Sequence, residues 1–400
     1  MTAGAAARPA VLSALPIRNR ALLALVLAAA AAILFSGFVE DAPNRLLSGR
    51  PISLWAAAGV WPTAGIAVFG AALLAAALMP QRRALALGVA LAASLALVLG
   101  LAAAGLAARA LLALAPPAAR IALGPAFWVL EAAAAFAVLD ALQRLRAGPM
   151  ARLLAVALIA AAIAAIALSG RLDSLSIAQE YASRQGAFAA ALSRHILIVA
   201  LSVGPALLVG FPLGIAAAKA PRLRGPLFAV LNLLQTIPSV ALFGLLIVPL
   251  SQLAKAAPRL AAFGIGGTGL APALIALVLY ALLPVVRNTS AGLLAVDRGV
   301  VEAGRGMGLS PRQLLMQVEL PLALPVLLAG LRIVTVQAIG LAVVAALIGA
   351  GGLGTFVFQG LGQYAVDLVL LGALPAIGLA LFADFGLRSL SAMLFPAAPR

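Results

Sequence analysis

The chain has 400 residues, of which 65% are hydrophobic and 10% are charged, and its formal net charge is +16. Soluble globular proteins carry about 25% charged residues, so this composition excludes a water-facing fold and places most of the surface in lipid. The absence of cysteine and the presence of a single histidine exclude disulfide frameworks, cysteine nucleophiles and histidine metal clusters.

Ten apolar segments are long enough, or nearly so, to cross a membrane as helices, which takes about 20 residues each. In chain order they are 21–38, 63–79, 84–108, 121–142, 151–168, 195–218, 225–250, 270–286, 326–348 and 368–390. They are continuous and rich in alanine and leucine, whereas the strands of membrane barrels alternate apolar and polar residues over about ten positions. We therefore predict an all-α polytopic membrane protein with about ten transmembrane helices.

The first apolar segment follows two arginines, as the core of a signal peptide would. Signal-peptide cores have about 7–15 residues and end at small side chains. Segment 21–38 is longer and ends in Phe35-Ser36-Gly37-Phe38, which favours an uncleaved first helix.

The basic residues lie in small groups between the apolar segments, which indicates membrane topology and not a nucleic-acid partner. If the N-terminus is cytoplasmic, ten spans put 17 Lys and Arg residues on the inner side and nine on the outer side, and Arg332 remains within a span. Because cytoplasmic loops carry the excess of Lys and Arg, we predict a multi-pass protein with both termini in the cytoplasm.

A polar stretch over 169–194 divides the chain into two parts of different character. The spans before it are almost purely alanine and leucine, whereas those after it carry amide and hydroxyl side chains. We predict an N-terminal membrane domain over 1–185, with about five transmembrane helices and an outer loop that includes a short helix. A second membrane domain, with about five further helices, is predicted over 186–400.

Two glycine-rich segments, 264–269 and 349–354, fit the pattern G-x-G-x-x-G. A nucleotide site needs a strand before this pattern and a helix after it, and both segments are predicted on the outer side. We interpret them as turns and close helix packing, with gating of a pathway mouth or contact with an external partner as the alternative. The chain also lacks a G-x-x-x-x-G-K-[ST] segment, so no catalytic residue, metal or cofactor is predicted on it and any ATP hydrolysis belongs to another polypeptide.

The predicted inner loop 287–325 has the most informative pattern. Gly306 and Gly308 suit a tight turn between two helices, and Ser310 with Gln313 matches a capping box at the start of the second helix. An apolar stripe at helical spacing follows over 314–318. Taken alone, this stripe is equally consistent with docking on a partner and with packing on the chain's own helices or the lipid interface.

This loop resembles the E-A-A-x-x-x-G-x(9)-I-x-L-P segment of permease subunits of ABC importers. The matching residues are Glu302, Ala303, Gly308, Leu320 and Pro321, while Gly304 replaces the second alanine and Val318 replaces isoleucine. In that family the loop docks in a groove of the cytoplasmic ATPase subunit. The resemblance therefore implies an ATPase-coupling loop that includes Glu302, Ala303, Gly304, Arg305, Gly308, Leu320 and Pro321. Of these, Glu302 and Arg305 are the candidates for polar contact with the ATPase.

Segments 235–246, 337–341 and 349–354 are similar to osmoprotectant permeases, which import glycine betaine, choline, carnitine or related quaternary amines. The resemblance covers roughly residues 190–395, and the N-terminal half is similar to the long Yeh-type members. It implies a type I importer bundle of MetI-like fold over the second domain and a location in the bacterial inner membrane. The implied partners are an ATPase subunit that carries ATP and magnesium, a second copy of this permease or a related one, and an extracytoplasmic substrate-binding protein.

Five uncharged polar residues at membrane depth and one proline are candidates for the translocation path. They are Gln235, Thr236, Pro238, Ser239, Thr335 and Gln337. Pro238 is expected to kink its span, as broken helices do at transport sites. The alternative for each polar side chain is a hydrogen bond between helices.

Three ionisable residues in or near the spans have ordinary interpretations. Arg332 is expected to snorkel to the inner interface, Asp384 to pair with Arg388 one helical turn later, and His195 to lie at the outer interface. The role of Glu131 stays open. Because it is the one convincing carboxylate at membrane depth, the rival function, an ion-coupled secondary transporter of a small zwitterion, depends on it.

Overall fold

The computed structural model describes residues 17–45, 47–262 and 264–395. Within these residues, nine helices are long and apolar enough to cross a membrane, and the prediction of an all-α polytopic membrane protein is confirmed. The first predicted span is a shorter apolar helix of 16 residues, Arg20–Phe35. Its length of about 24 Å is less than the hydrocarbon thickness of about 30 Å.

The chain forms two compact units that meet in sequence between Glu180 and Tyr181. The first unit contains α1 (Arg20–Phe35), α2 (Leu54–Ala58), α3 (Val60–Leu78), α4 (Arg83–Leu112), α5 (Pro125–Arg144) and α6 (Pro149–Leu168), with strands β1 (Val39–Ala42), β2 (Arg50–Ile52) and β3 (Arg120–Leu123). The strands form an antiparallel sheet in the order β2-β1-β3. In its register, Val39 lies opposite both Ile52 and Leu123.

Small side chains bring the helices of the first unit close together. Ala103, Ala104 and Ala107 on α4 are fully buried in one cluster with Phe127 and Leu130 of α5. Alanine at such positions allows helix backbones to approach closely, which is how helices associate where no hydrophobic effect drives them together. Helix α4 continues past the predicted end of its span at residue 108, through Arg109 to Leu112.

The second unit follows α7 (Ser176–Ser183), which crosses the division. It contains α8 (Gln185–Lys219), α9 (Pro221–Thr236), α10 (Ser239–Ala256), α11 (Pro258–Ala262), α12 (Leu270–Leu294), α13 (Arg298–Gly306), α14 (Pro311–Leu314), α15 (Leu320–Val344), α16 (Gly354–Gly362) and α17 (Val366–Leu394). A π-helical turn over Leu315–Glu319 joins α14 to α15, and a 3₁₀ turn over Ala345–Ile348 extends α15. The result is one continuous helix from Pro311 to Ile348.

Helix α12 is the centre of the second unit, with α8 and α15 packed along it. Two glycines of α8 make this approach possible. A Cβ atom on Gly210 would lie 2.7 Å from Val285 Cγ1, and one on Gly214 would lie 2.4 Å from Thr289 Cβ. Both distances are far shorter than van der Waals contact, so only glycine fits where the two helices meet.

Helix α8 begins ten residues earlier than the predicted span. Arg194, predicted to stand outside, donates from Nε to the carbonyl of Ala350 at 3.1 Å, and the ring of Phe188 stacks on Phe356 at 6.3 Å. His195 is fully buried beside Gly352, and its place at the outer interface stays a prediction. The first ten residues of α8 are helical because the Ala350 turn and Phe356 of α16 pack against them.

The two glycine-rich segments meet each other. The N–H group of Gly269 donates to the carbonyl of Ile348 at 2.7 Å. Gly349, Gly351 and Gly352 all have φ between 81° and 84°, a conformation that favours glycine. The segments are turns, as predicted. Neither of them connects a strand to a helix in the manner of a nucleotide site.

Candidate functional site

The loop that resembles the importer segment folds as helix, turn and helix. Asp297 caps α13 by accepting hydrogen bonds from the N–H groups of Gly299 at 2.7 Å and Val300 at 3.3 Å. Gly308 has φ +83°, so it forms the predicted tight turn in a conformation that other residues rarely adopt. Gly306 lies in the last turn of α13 and not in the turn itself.

The predicted capping box at the start of α14 is confirmed. The N–H group of Gln313 donates to Ser310 Oγ at 3.4 Å, and the N–H group of Ser310 donates to Gln313 Oε1 at 2.9 Å. These reciprocal bonds satisfy two donors at the helix start. The backbone direction after the turn is therefore set by local sequence.

The glycine that departs from the family pattern has a packing partner. Gly304 is buried, and a Cβ atom there would lie 2.7 Å from Leu314 Cδ1. Leu314 is 3% exposed, so it is the member of the apolar stripe that packs on the chain's own α13. Helix α13 nevertheless continues through Gly304.

The remaining residues of the predicted ATPase-coupling loop are mostly on the surface. Glu302, Ala303, Arg305, Gly308 and Pro321 are exposed, whereas Leu320 is half-buried. The exposed face of α13 and the turn after it therefore present two opposite charges and a glycine to whatever lies next to the loop.

An ion pair that sequence reasoning missed joins this loop to α8. Lys219, the last residue of α8, contacts both carboxylate oxygens of Glu319. The side chain of Glu319 is 5% exposed and that of Lys219 is 44% exposed. The two residues are 100 positions apart, so no local pattern could have paired them.

Two open grooves lie beside the ion pair and share Lys219 and Arg305. The larger, of about 560 Å³, has leucine side chains and Pro311 in its walls and Arg312 as its further charge. The smaller, of about 350 Å³, is lined in addition by Arg298, Glu302 and Glu319. Four cations and two carboxylates line the grooves together, which gives this surface a positive balance that complements an acidic partner surface.

The predicted span 225–250 is wrong as a single kinked helix, because α9 ends at Thr236 and α10 begins at Ser239. Pro238 cannot donate a backbone hydrogen bond and forces the residue before it into an extended conformation. Ile237 accordingly has ψ 124°. Its carbonyl accepts a hydrogen bond from the hydroxyl of Tyr280, and Gln235 Nε2 donates to the carbonyl of Tyr280 at 2.6 Å. Tyr280 of α12 therefore holds the last turn of α9 and the break itself.

The other candidate path residues are not brought together as one line. Thr236 and Thr335 donate their hydroxyls to carbonyls of their own helices, Leu233 at 2.7 Å and Leu331 at 2.8 Å. Thr335 and Gln337 are two positions apart on α15, and therefore about 200° apart around it. Pro238 is exposed and Ser239 is half-buried beside the break.

Tyr280 provides a test of the break that is independent of transport. We expect Tyr280→Phe to lower the free energy of unfolding by about 1–2 kcal/mol, because the Ile237 carbonyl loses its hydrogen-bond donor while the ring is kept. Thermal unfolding of the detergent-purified chain measures this change. Tyr364→Phe is the control, since Tyr364 is 89% exposed, and an equal loss in both variants would contradict the role of the Tyr280 hydroxyl.

The ionisable residues of the spans have specific neighbours. The predicted pair between Asp384 and Arg388 is confirmed, with Arg388 Nε 2.8 Å from Asp384 Oδ2. Arg332 Nε lies 3.5 Å from Asp384 Oδ1, so Arg332 links α15 to α17 and does not merely snorkel. In the first unit, Glu131 packs against Gly100, and its buried Oε1 has no hydrogen-bond partner among the described residues.

Comparison with known proteins identifies this architecture. A family model described as binding-protein-dependent transport system inner membrane component matches residues 210–394, and one described as the N-terminal domain of the ABC transporter permease YehY matches residues 18–178. The chain is 40% identical over 207 residues to the carnitine transport permease protein OpuCB of Listeria monocytogenes, covering 52% of this chain and 88% of the relative. The chain belongs to the binding-protein-dependent inner membrane permeases of ABC transporters.

A second relative agrees with this placement. The permease is 41% identical over 211 residues to the osmoprotectant import permease protein OsmW of Salmonella typhimurium, covering 53% of this chain and 93% of that one. It is also similar to a solved chain of the methionine ABC transporter MetNI in an inward-facing conformation. That match has a TM-score of 0.47 and 21% identity, and covers 53% of the permease and 98% of the solved chain. The predicted resemblance to osmoprotectant permeases with a Yeh-type N-terminal half is confirmed.

Proposed function

We propose that this permease is the membrane subunit of an ATP-driven importer for glycine betaine, choline, carnitine or a related quaternary amine. The observation that carries the proposal is its identity of 40% and 41% to permeases named for carnitine transport and osmoprotectant import. A separate extracytoplasmic binding protein would select the substrate and deliver it. The low aromatic content of 5% supports this division, because quaternary ammonium groups are usually held by aromatic cages.

In this proposal the loop with Glu302, Ala303, Gly304, Arg305, Gly308, Leu320 and Pro321 lies in the cytoplasm and docks on an ATPase subunit that carries ATP and magnesium. The exposed charges of Glu302 and Arg305 and the positive balance of the two grooves support docking. Both chain termini are then cytoplasmic. A second copy of this permease, or a related one, would complete the pathway.

The translocation path is proposed to pass the break between α9 and α10. Broken helices at membrane depth expose backbone groups where a polar substrate crosses, and Gln235, Thr236, Pro238 and Ser239 flank the break here. Thr335 and Gln337 on α15 are the further candidates. We propose residues 186–400 as the permease domain and 1–185 as a separate membrane domain.

The experiment that tests the function combines partner recovery with transport. The tagged chain is expressed with its candidate ATPase, purified in mild detergent and analysed by mass spectrometry. Arg305→Glu, which reverses an exposed charge on the docking face, is expected to reduce ATPase recovery by about tenfold, since the new carboxylate would face an acidic partner surface and like charges across an interface repel. Arg152→Glu is the control, because Arg152 is exposed in the first unit.

Uptake into vesicles then tests the substrate class. With the binding protein outside and ATP inside, labelled glycine betaine, choline and carnitine are offered separately, and at least one is expected to accumulate. Accumulation in vesicles without ATP would overturn the proposal and favour ion coupling through Glu131. Recovery of the ATPase without accumulation of any quaternary amine would overturn the substrate class alone.

A further inference from the structure

The ion pair between Lys219 and Glu319 is unusual in its burial. Glu319 is an almost fully buried carboxylate at the end of the π-helical turn, within the stretch that matches the family pattern but at one of its unspecified positions. An unpaired buried carboxylate is strongly destabilising, and removing one partner of such a pair costs far more than losing a surface salt bridge. The loop therefore has a strong preference for the position in which Glu319 meets Lys219.

The two partners belong to elements with different neighbours. Lys219 ends the 35-residue helix α8, which packs along α12 and α15. Glu319 lies between α14, whose Leu314 packs against Gly304 of α13, and α15. The pair thus links the compact helix–turn–helix of the loop directly to the C-terminal end of α8.

The π-helical turn indicates why the link lies here. Single π-turns interrupt the regular hydrogen-bond ladder and are frequent at functional sites. The turn over Leu315–Glu319 is a point where the loop can shift relative to α15. The ion pair of Glu319 with Lys219 ties this turn to the end of α8. Lys219 also lines both grooves, so a partner seated in either groove would lie next to the pair.

We propose that Lys219 and Glu319 are positioning residues that hold the coupling loop on α8, so that movement of the docked loop is passed to the α8–α12 pair. The proposal rests on the proposed function, since it assigns a role within ATP-driven transport. Neither residue is proposed to touch substrate or ATP.

Lys219→Met and Glu319→Gln test the proposal in the assembled transporter. Each variant is expected to lower uptake about tenfold, while ATP hydrolysis stimulated by the binding protein falls much less, so that fewer substrate molecules are imported per ATP. Lys219→Arg should stay within about threefold of wild-type uptake, because it keeps the charge and two donors. The double variant Lys219→Glu with Glu319→Lys should take up more substrate than Lys219→Glu or Glu319→Lys alone, because its two charges are opposite again.

A second measurement uses the purified chain without partners. Amide hydrogen exchange over residues 311–320 is expected to increase in Lys219→Met and to stay unchanged in Arg388→Met, which removes a more exposed pair within one helix. Unchanged exchange in Lys219→Met, or an equal loss of uptake and ATP hydrolysis in all variants, would overturn the positioning role. Increased exchange in a chain whose wild type shows no ATP-dependent uptake would instead overturn the proposed function and leave the link between loop and α8 intact.

Discussion

Replacement of Gly308 with proline is expected to abolish ATP-driven uptake while leaving membrane insertion intact. Gly308 has φ +83°, whereas proline is fixed near −65°, so the turn between α13 and α14 cannot close in the variant. The face that carries Glu302 and Arg305 would then lose its orientation relative to the grooves. Uptake, ATPase recovery and the amount of membrane-inserted chain are the three measurements.

The matched control lies two residues away. Gly306 is helical and has open space where a Cβ atom would stand, so Gly306→Ala is expected to transport like the wild type. Gly308→Ala should be intermediate, because a left-handed conformation costs an alanine about 1–2 kcal/mol. Normal uptake by Gly308→Pro would exclude a role for the turn in coupling.

Replacement of Gly214 with leucine is expected to have the largest effect on folding. A Cβ atom there would lie 2.4 Å from Thr289 Cβ and 3.0 Å from the carbonyl oxygen of Val286, so α8 cannot keep its distance from α12. Overpacking in well-packed cores costs about 1–3 kcal/mol, and contact with backbone, which cannot change rotamer, puts this case at the upper end. The fraction of monodisperse protein after detergent extraction and the unfolding midpoint should both fall.

Gly204→Leu is the control on the same helix. A Cβ atom at Gly204 would have nothing within 4 Å, and leucine has the better helix propensity, so this variant should extract and unfold like the wild type. If the two leucine variants behaved alike, the close packing of α8 on α12 would not be what stabilises the second unit.

Hydropathy was sufficient to predict most of the helices, because a membrane span depends on a local property that the sequence displays directly. The capping box at Ser310 and the turn at Gly308 were predictable for the same reason, since each depends on residues within a few positions of one another. The family resemblance of the loop depends on Glu302, Ala303, Gly308, Leu320 and Pro321 and on the spacing between them.

Features that depend on distant partners could not be predicted in this way. The β-sheet joins strands of only three or four residues, which are too short for an alternating pattern to show: Val39–Ala42, Arg50–Ile52 and Arg120–Leu123. The early start of α8 depends on the carbonyl of Ala350, which lies 156 positions from Arg194. The ion pair of Glu319 likewise depends on Lys219, which lies 100 positions away in the sequence.

The continuous helix from Pro311 to Ile348 has a mechanical consequence. Its π-turn and Pro325 interrupt the backbone hydrogen-bond ladder near the loop, so bending concentrates at that end. Residues 326–348 then act as a stiff lever about 34 Å long, and a tilt of about 10° moves the far tip by about 6 Å. That tip is Ile348, whose carbonyl binds the N–H group of Gly269. A small rotation of the helix at the loop would therefore produce a larger displacement at Ile348, where the two glycine-rich turns touch.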